Sequence, residues 1–159
     1  KGYLLTETGT INVAELYRKH RLIEVFLVDH LQYSCDQIHQ EAEILEHTVS
    51  DHFIDALERL LNYPQTCPHG GQIPKSGQLI EEFYNQTFTQ GLAPGNYVLR
   101  RVQDQHDLLH YLETVGLKIG TPFTLEGFDP FTQLYRLHID GKDVQIPEAI
   151  ASNLYIESN

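Results

Sequence analysis

The sequence predicts an α+β protein, in which a helical domain is followed by a small β-barrel. Up to about residue 62, apolar residues recur every three or four positions, which is the spacing of helices with one buried face. From about residue 94 onward, apolar and polar residues alternate, which is the period of half-buried strands. The segment YPQTCPHGGQIPKSG, residues 63–77, lies between the two patterns. Its Pro, Gly and polar residues mark a loop or a domain boundary.

Three helices are predicted before this loop, over about 11–31, 35–48 and 51–62. Two ionisable residues interrupt the apolar face of the first helix, which consists of Val13, Leu16, Tyr17, His20, Ile23, Glu24, Leu27, Val28 and Leu31. Ser50 is placed to cap the third helix, whose apolar stripe is Phe53, Ile54, Leu57, Leu60 and Leu61. Three short helices make a thin core, so we expect a homodimer in which a second copy covers this stripe.

The strands of the barrel are predicted at GNYVLRRV, TPFTLEGF, QLYRLHI and KDVQIP, with turns at DPFT and DGK. One short helix, near residues 106–115, interrupts them. The stretch from 79 to 90 fits neither period clearly, and a helix is one interpretation of it. We found no internal repeat or low-complexity tract in the sequence.

The composition of the chain excludes several function classes. A formal charge of -11 would repel nucleic acid, so the chain by itself is not expected to bind DNA. No apolar run approaches the ~18 residues of a membrane span, and the start lacks the layout of a signal peptide. Two cysteines suit a reduced compartment, and we expect a cytoplasmic protein. Since the sequence has no Met and begins with Lys, we also expect that its natural N-terminus is missing.

His20 and Glu24 form an i,i+4 couple on the first helix. Such a couple is usually a solvated ion pair that stabilises its helix. Here both residues interrupt an apolar stripe, and a charge that is carried toward a core must be paired, neutralised or bound to metal. The couple therefore indicates a candidate metal site.

The second predicted helix contains HQEAEILEH, residues 39–47. At ~100° per residue, His39, Glu43, Glu46 and His47 share one arc beside an apolar stripe. Two carboxylates at i,i+3 repel each other, and a divalent cation would remove that cost. An acidic, solvated face is the alternative for this helix alone, but two neighbouring helices that both present His and Glu favour metal binding.

The donor types narrow the choice of metal. Carboxylates and imidazoles without thiolate favour Mn²⁺ or Fe²⁺ over a structural zinc site, although intrinsic affinity still favours zinc. Cys67 and His69, in the loop after the third helix, add a soft and a borderline donor. If this loop folds back on the first helix, the two could join Glu24 in a second site that Asp104 completes, and Zn²⁺ could bind there. An ordinary loop cysteine beside a histidine is the alternative interpretation.

Four stretches carry a family resemblance: H-R-L-x-E at 20–24, H-x-E-A-x-x-x-E-H at 39–47, S-D-x-x-x-x-x-L at 50–57, and N-x-P-x-T-x-P-x-G-x-x-I-P at 62–74. They resemble metal-dependent transcriptional repressors of the DtxR/MntR type, in the manganese-responsive form that ends in an SH3-like, FeoA-related domain. LKIGTPFTLEGFDPF and DGKDVQIP resemble that last domain. The resemblance implies a wing remnant at 1–9, a helical metal-binding and dimerisation domain at 10–75, a linker at 76–93 and the barrel at 94–159.

The resemblance also implies roles for individual residues. Glu43, Glu46 and His47 fall on the family's primary metal site, where glutamate at 43 is the manganese-responsive form. His20 and Glu24 match ligands of the first helix, and His39 matches a position that ligates in some members. Cys67 and His69 depart from the usual loop, which implies a second site of altered composition. The family takes one further primary ligand from its DNA-binding domain, which this chain lacks, so the primary site is expected to be incomplete.

The function that the resemblance implies is the sensing and dimerising part of a repressor that controls metal homeostasis. Mn²⁺ or Fe²⁺ would be the effector, and operator DNA would be reached only through the missing N-terminal winged helix-turn-helix. We expect neither enzymatic activity nor a small-molecule substrate, and no membrane partner. Two alternatives remain: a di-metal carboxylate enzyme, which would need four long helices, and a protein-interaction module that does not depend on metal.

Overall fold

The structure, a computed structural model, describes residues 4, 6–35 and 37–159, and it divides the chain into two compact units, 1–83 and 84–159. Lys1, Gly2, Tyr3 and Leu5 lie outside the described residues, and they are four of the nine positions of the predicted wing remnant. The predicted α+β class is confirmed, since helices occupy the first unit and a five-stranded antiparallel sheet the second. None of the described helices combines the length and the apolar character that crossing a bilayer requires.

The first unit contains helices α1 (Glu7–Asp29), α2 (Ile38–Glu46) and α3 (Asp51–Leu60). The α1 helix begins earlier than its apolar pattern predicts, because the Thr6 hydroxyl caps it by accepting the N–H of Gly9 at 3.1 Å. Ser50 caps α3 in the predicted way, with its hydroxyl accepting the N–H of Phe53 at 3.1 Å. Both caps satisfy amide groups that have no partner within the helix.

The core of the first unit is centred on the middle of α1, which packs against both α2 and α3. Four consecutive residues, 22–25, are buried there, and Glu24 is one of them. The core consists of Leu22, Ile23, Val25, Leu27, Ile38, Ala42, Ile54, Leu57, Cys67 and Ile73. A helix that is covered on two sides buries more than one stripe of residues, and Glu24 is therefore held away from water.

The loop after α3 folds into a tight turn of backbone hydrogen bonds. The N–H of Cys67 donates to the carbonyl of Gly71 at 2.9 Å, and the N–H of Gly70 donates to the carbonyl of Cys67 at 2.9 Å. Gly70 has φ +80°, which a residue with a side chain rarely adopts. The turn thus presents Cys67 and His69 side by side, and both side chains are buried.

The second unit contains strands β1 (Gly95–Val102), β2 (Pro122–Asp129), β3 (Leu134–Ile139), β4 (Lys142–Pro147) and β5 (Leu154–Ser158). They form one antiparallel sheet in the order β4-β3-β2-β1-β5. Helix α4 (His106–Val115) follows β1 as predicted, and the short α5 (Glu148–Ala151) precedes β5. The stretch 79–90 contains only a 3-10 turn at Phe88–Gln90 rather than a helix. The sequence prediction did not include β5.

Candidate metal centre

Glu24 lies at the centre of the candidate site, on the buried middle of α1 with 1 % of its surface exposed. Its Oε1 is 3.1 Å from Nε2 of His20, one helical turn away. The same oxygen lies 3.4 Å from Nδ1 of His69, on the turn after α3. A single carboxylate therefore meets imidazoles from two different parts of the first unit.

His20 connects α1 to α2. Its Nδ1 lies 2.6 Å from Oε2 of Glu46, while its Nε2 faces Glu24. A neutral imidazole carries one N–H and can donate to one carboxylate only. Contact with a carboxylate at each nitrogen is therefore favourable only if the ring gains a second proton or if a metal cation lies between one nitrogen and its carboxylate.

Two groups of three donors come together around Glu24. In the first, ligand atoms of Glu24, His20 and His39 lie within 4.8 Å of one another, and the rings of His20 and His39 are 5.0 Å apart. In the second, ligand atoms of Glu24, Cys67 and His69 lie within 4.8 Å of one another, and all three residues are buried. Both sets are compact enough for one ion to touch every member.

The residues present fit a divalent cation. Glu24 Oε2 is buried and, among the described residues, has no hydrogen-bond partner. Leaving a carboxylate oxygen in that condition costs free energy unless a cation compensates it. Thiolate, imidazole and carboxylate are the donors that proteins use for zinc and other borderline metals, whereas the set without thiolate suits manganese or iron.

His69 is oriented by a backbone group of the α1–α2 connection. Its Nε2 lies 3.3 Å from the carbonyl oxygen of Cys35, which can only accept, so this nitrogen carries the proton. The other nitrogen, Nδ1, then has a lone pair and lies 3.4 Å from Oε1 of Glu24, so a cation that binds both atoms would remove the repulsion between them. A hydrogen bond of this kind fixes the tautomer of a ligating histidine.

The remaining predicted ligands of the first unit lie outside the two groups of donors around Glu24. Glu46 is buried at the end of α2, and its Oε1 is 3.3 Å from Nε2 of His47, which is 64 % exposed. Glu43 is exposed and belongs to none of the close-set donor groups in the described part of the chain. Asp104 is a residue of the second unit, and its place in a metal site stays a prediction.

Glu46 and His47 line an open groove between α1 and the start of α3. Arg18, a residue that the sequence analysis did not single out, also lines it and is buried. Burial would lower the pKa of Arg18, but hydrogen bonds from its guanidinium to Glu58 at 2.7 Å and Asp55 at 2.9 Å outweigh this and raise the pKa. Arg18 thus stays charged and ties α1 to α3 beside the groove.

A third group of donors, also absent from the sequence analysis, lies on the sheet. Glu126, His138 and Asp143 come from β2, β3 and β4, and Nδ1 of His138 is 2.7 Å from Oδ1 of Asp143. All three side chains are exposed, so water can solvate each of them. Cross-strand pairing of His138 with Asp143 accounts for this group as a surface ion pair.

Family models match both units of the chain. Residues 6–75 match the model described as iron dependent repressor, metal binding and dimerisation domain. Residues 91–158 match the FeoA domain.

Solved structures resemble nearly the whole chain. The manganese regulator SloR is 51 % identical with a TM-score of 0.94, and the match covers 99 % of this chain and 74 % of that one. The apo form of the manganese-activated repressor ScaR has the same identity and TM-score, with 99 % and 75 % covered. ScaR has also been solved with bound Cd²⁺ and with bound Zn²⁺.

Among characterised proteins, the iron-dependent repressor IdeR of Mycobacterium tuberculosis is 40 % identical over 70 residues. That match covers 44 % of this chain and 30 % of IdeR, so the chain aligns with less than a third of that relative. The family resemblance that the sequence motifs predict is confirmed by these matches. With both domain models in their expected order and a 51 % identical relative of which it covers 74 %, the chain belongs to the DtxR family of metal-dependent repressors.

Proposed function

We propose that this chain is the metal-sensing and dimerising part of a manganese-dependent transcriptional repressor. The observation that carries the proposal is the buried carboxylate of Glu24, which lies among His20, His39, Cys67 and His69, with one oxygen that has no hydrogen-bond partner in the described part of the chain. Similarity to two manganese regulators over nearly the full chain supports manganese as the effector. Fe²⁺ is the second candidate, because the family model and the mycobacterial relative are named for iron.

We assign two sites to the first unit. The first comprises Glu43, Glu46 and His47, with His20, Glu24 and His39 beside it. The second comprises Glu24, Cys67 and His69. A divalent cation bound in either site would neutralise the negative charge of the carboxylates there. The role of α1 and α2 is to hold the donors at that spacing.

The second site is expected to prefer softer ions than the first. Thiolate from Cys67 favours Zn²⁺ or Cd²⁺ over Mn²⁺, while the open groove beside Glu46 and His47 leaves room for the higher coordination number of manganese. The relative ScaR has been solved with bound Cd²⁺ and with bound Zn²⁺. Zinc at the second site is therefore part of the proposal.

We also propose that the chain acts as a homodimer and reaches operator DNA through a separate DNA-binding domain. The net charge of -11 makes direct DNA contact by these residues unfavourable. Within a dimer, two DNA-reading domains can be fixed at half-site spacing, and metal affinity for the ordered arrangement would shift the equilibrium toward it. We further propose a cytoplasmic location, since a content of two cysteines suits a reduced compartment.

The alternative functions receive less support. A di-metal carboxylate enzyme would need four long helices, whereas the described part of the first unit has α1, α2 and α3, of which only α1 is long. An interaction module without metal would have no reason to bury Glu24 beside two imidazoles. Its stability and its dimerisation would be unchanged by a chelator.

Calorimetric titration of Mn²⁺ and Zn²⁺ into wild type and two variants tests the proposal. We expect Glu46→Gln to weaken Mn²⁺ binding by more than about tenfold, and Cys67→Ser to weaken Zn²⁺ binding by a similar factor with little change for Mn²⁺. The matched control is Glu157→Gln, which changes an exposed carboxylate of β5. Wild-type stoichiometry and affinity in both site variants would remove the assignment.

A further inference from the structure

Arg21 lies on α1 between His20 and Glu24, and its side chain is mostly buried against the turn that carries Cys67 and His69. Gly71 of this turn packs directly on the guanidinium. A Cβ at Gly71 would lie 2.7 Å from Cζ of Arg21 and 2.8 Å from Nη2, distances that real contacts do not reach. Gly71 has an ordinary backbone conformation, and a side chain here would force the guanidinium of Arg21 to move.

Hydrogen bonds hold both backbone groups of the next residue, Gln72. Nη1 of Arg21 donates to the carbonyl of Gln72, and Nη2 donates to Oε1 of Glu82 at 2.7 Å. The other oxygen of Glu82 accepts the N–H of Gln72 at 2.8 Å. Arg21, Glu82 and Gln72 thus close a ring of charge-assisted hydrogen bonds, which are stronger than neutral ones.

Backbone hydrogen bonds connect this ring to the turn that carries Cys67 and His69. The carbonyl of Gly71, next to Gln72, accepts the N–H of Cys67 at 2.9 Å, and Thr66 pairs with Gln72 across the turn. Fixing Gln72 on α1 therefore fixes the turn from Thr66 to Gln72. The thiol of Cys67 and the imidazole of His69 are then held where the carboxylate of Glu24, one turn along from Arg21, already lies.

We infer that Arg21 is the positioning residue of the Glu24, Cys67 and His69 site: through Gln72 and Glu82 it fastens the donor-bearing turn to α1 and preorganises the site for a thiophilic divalent cation. This inference rests on the proposed function of that donor group. Arg21 is itself a cation, so it cannot be a ligand. Its contribution is to remove the conformational freedom that three donors from separate segments would otherwise lose on binding.

Electrostatics and positioning make opposite predictions for loss of the Arg21 charge. A positive side chain close to a cation site repels the cation, so Arg21→Gln should strengthen binding if the field of Arg21 were its main effect. Positioning predicts weaker binding in the same variant. The sign of the change therefore separates the two effects.

The test is titration with Co²⁺ alone, which reports thiolate ligation as a charge-transfer absorption band in the near ultraviolet. Wild type, Arg21→Gln, Arg21→Lys and Gly71→Ala are compared, and Cys67→Ser identifies the band. Arg100→Gln is the matched control, because Arg100 pairs with Glu157 at 2.8 Å in the second unit. Thermal unfolding of each variant in EDTA measures any general loss of stability.

We expect Arg21→Gln to bind Co²⁺ at the thiolate site roughly tenfold more weakly, with the same band at saturation. Arg21→Lys should be intermediate, because lysine keeps the charge but lacks the two-pronged geometry. Gly71→Ala should weaken Co²⁺ binding although all ligands and charges are unchanged. If Arg21→Gln does not fold, Gly71→Ala provides the test in its place. Arg100→Gln should match wild type.

Unchanged or tighter Co²⁺ binding in Arg21→Gln, or in Gly71→Ala, would overturn the positioning role and leave the site itself intact. A wild-type protein that shows no band sensitive to Cys67→Ser would overturn both the site and the role of Arg21. The two failures are therefore distinguishable within one set of titrations.

Discussion

Glu24 contributes its carboxylate to two neighbouring sets of donors, one with His20 and His39 and the other with Cys67 and His69. A buried carboxylate whose second oxygen lacks a partner lowers the stability of the metal-free fold. When a cation is bound, the same oxygen can act as a ligand. At this residue, metal affinity and metal-free stability therefore oppose each other.

We predict that Glu24→Gln raises the melting temperature of the protein in EDTA, because a neutral amide is less costly to bury than an unpaired carboxylate oxygen. Added Zn²⁺ should stabilise wild type, by about 2.7 kcal/mol at a hundredfold excess over Kd, and should stabilise the variant far less. Differential scanning calorimetry with and without Zn²⁺ measures both effects. A variant that gains as much from Zn²⁺ as wild type would contradict the role of Glu24.

Asp129, at the end of β2, is a titrating residue of the second unit. Its carboxylate accepts the N–H groups of Phe131 at 2.9 Å and Thr132 at 3.3 Å, and these hydrogen bonds lower its pKa below the ordinary 3.8. A carboxyl with a depressed pKa in the folded state adds stability that is present above the unfolded pKa. That stability is lost as pH falls through the lower, folded value.

We therefore predict that the second unit loses stability on acidification from about pH 4 downward, and that Asp129→Asn reduces this loss. NMR titration of the Asp129 carboxyl measures its pKa directly. Asp140→Asn, at the other predicted turn, serves as the comparison. An Asp129 pKa at or above 3.8 would show that the turn hydrogen bonds do not act in this way.

Helix α3 carries two adjacent apolar stripes. Ile54 and Leu57 are buried in the core of the first unit, while Phe53 and Leu60 point to solvent, and Leu60 is 61 % exposed. On α1, the residues Val13, Leu16 and Tyr17 are exposed as well, although the sequence analysis placed them on the buried face. An apolar surface of this extent is typical of an interface, and the family model is described as a dimerisation domain.

We predict that Leu60→Asp converts the proposed dimer into a monomer, because a charge placed in an apolar interface loses its hydration without gaining a partner. Light scattering coupled to size-exclusion chromatography gives the mass in solution. Phe131→Asp is the control, since Phe131 is 94 % exposed at a turn of the second unit and should not affect assembly. A dimeric Leu60→Asp protein would place the interface elsewhere.

The extent to which each element could be predicted depended on the strength of its local signal. Ser50 marks the start of α3, and the alternation of β3 and β4 is regular, so these elements follow from the sequence. The β5 strand is five residues long and follows a Ser-Asn turn, which leaves too short an alternation to recognise. The stretch 79–90 is fixed by contacts such as that of Glu82 with Arg21, and no local pattern reveals them.

At the scale of the whole molecule, the donor groups around Glu24 lie in the first unit, and the second unit is built on a five-stranded sheet. Residue types and helical spacing were enough to predict His20, Glu24 and Glu46 as neighbours, because α1 and α2 are consecutive. The approach of Cys67 and His69 to Glu24 depends on how the turn folds, which spacing alone does not determine. Arg21 belongs to the H-R-L-x-E motif at 20–24, but its residue type gave it no place among the predicted ligands, since an arginine does not bind a metal cation.

The most direct test is anomalous X-ray scattering from crystals of the protein grown with Mn²⁺ and with Zn²⁺, measured at the absorption edge of each metal. We predict a zinc peak about 2.0–2.3 Å from an oxygen of Glu24, Sγ of Cys67 and Nδ1 of His69. We also predict a manganese peak beside Glu46 and His47. Metal-loaded crystals in which Glu24, Cys67 and His69 surround no anomalous peak would contradict the proposed function.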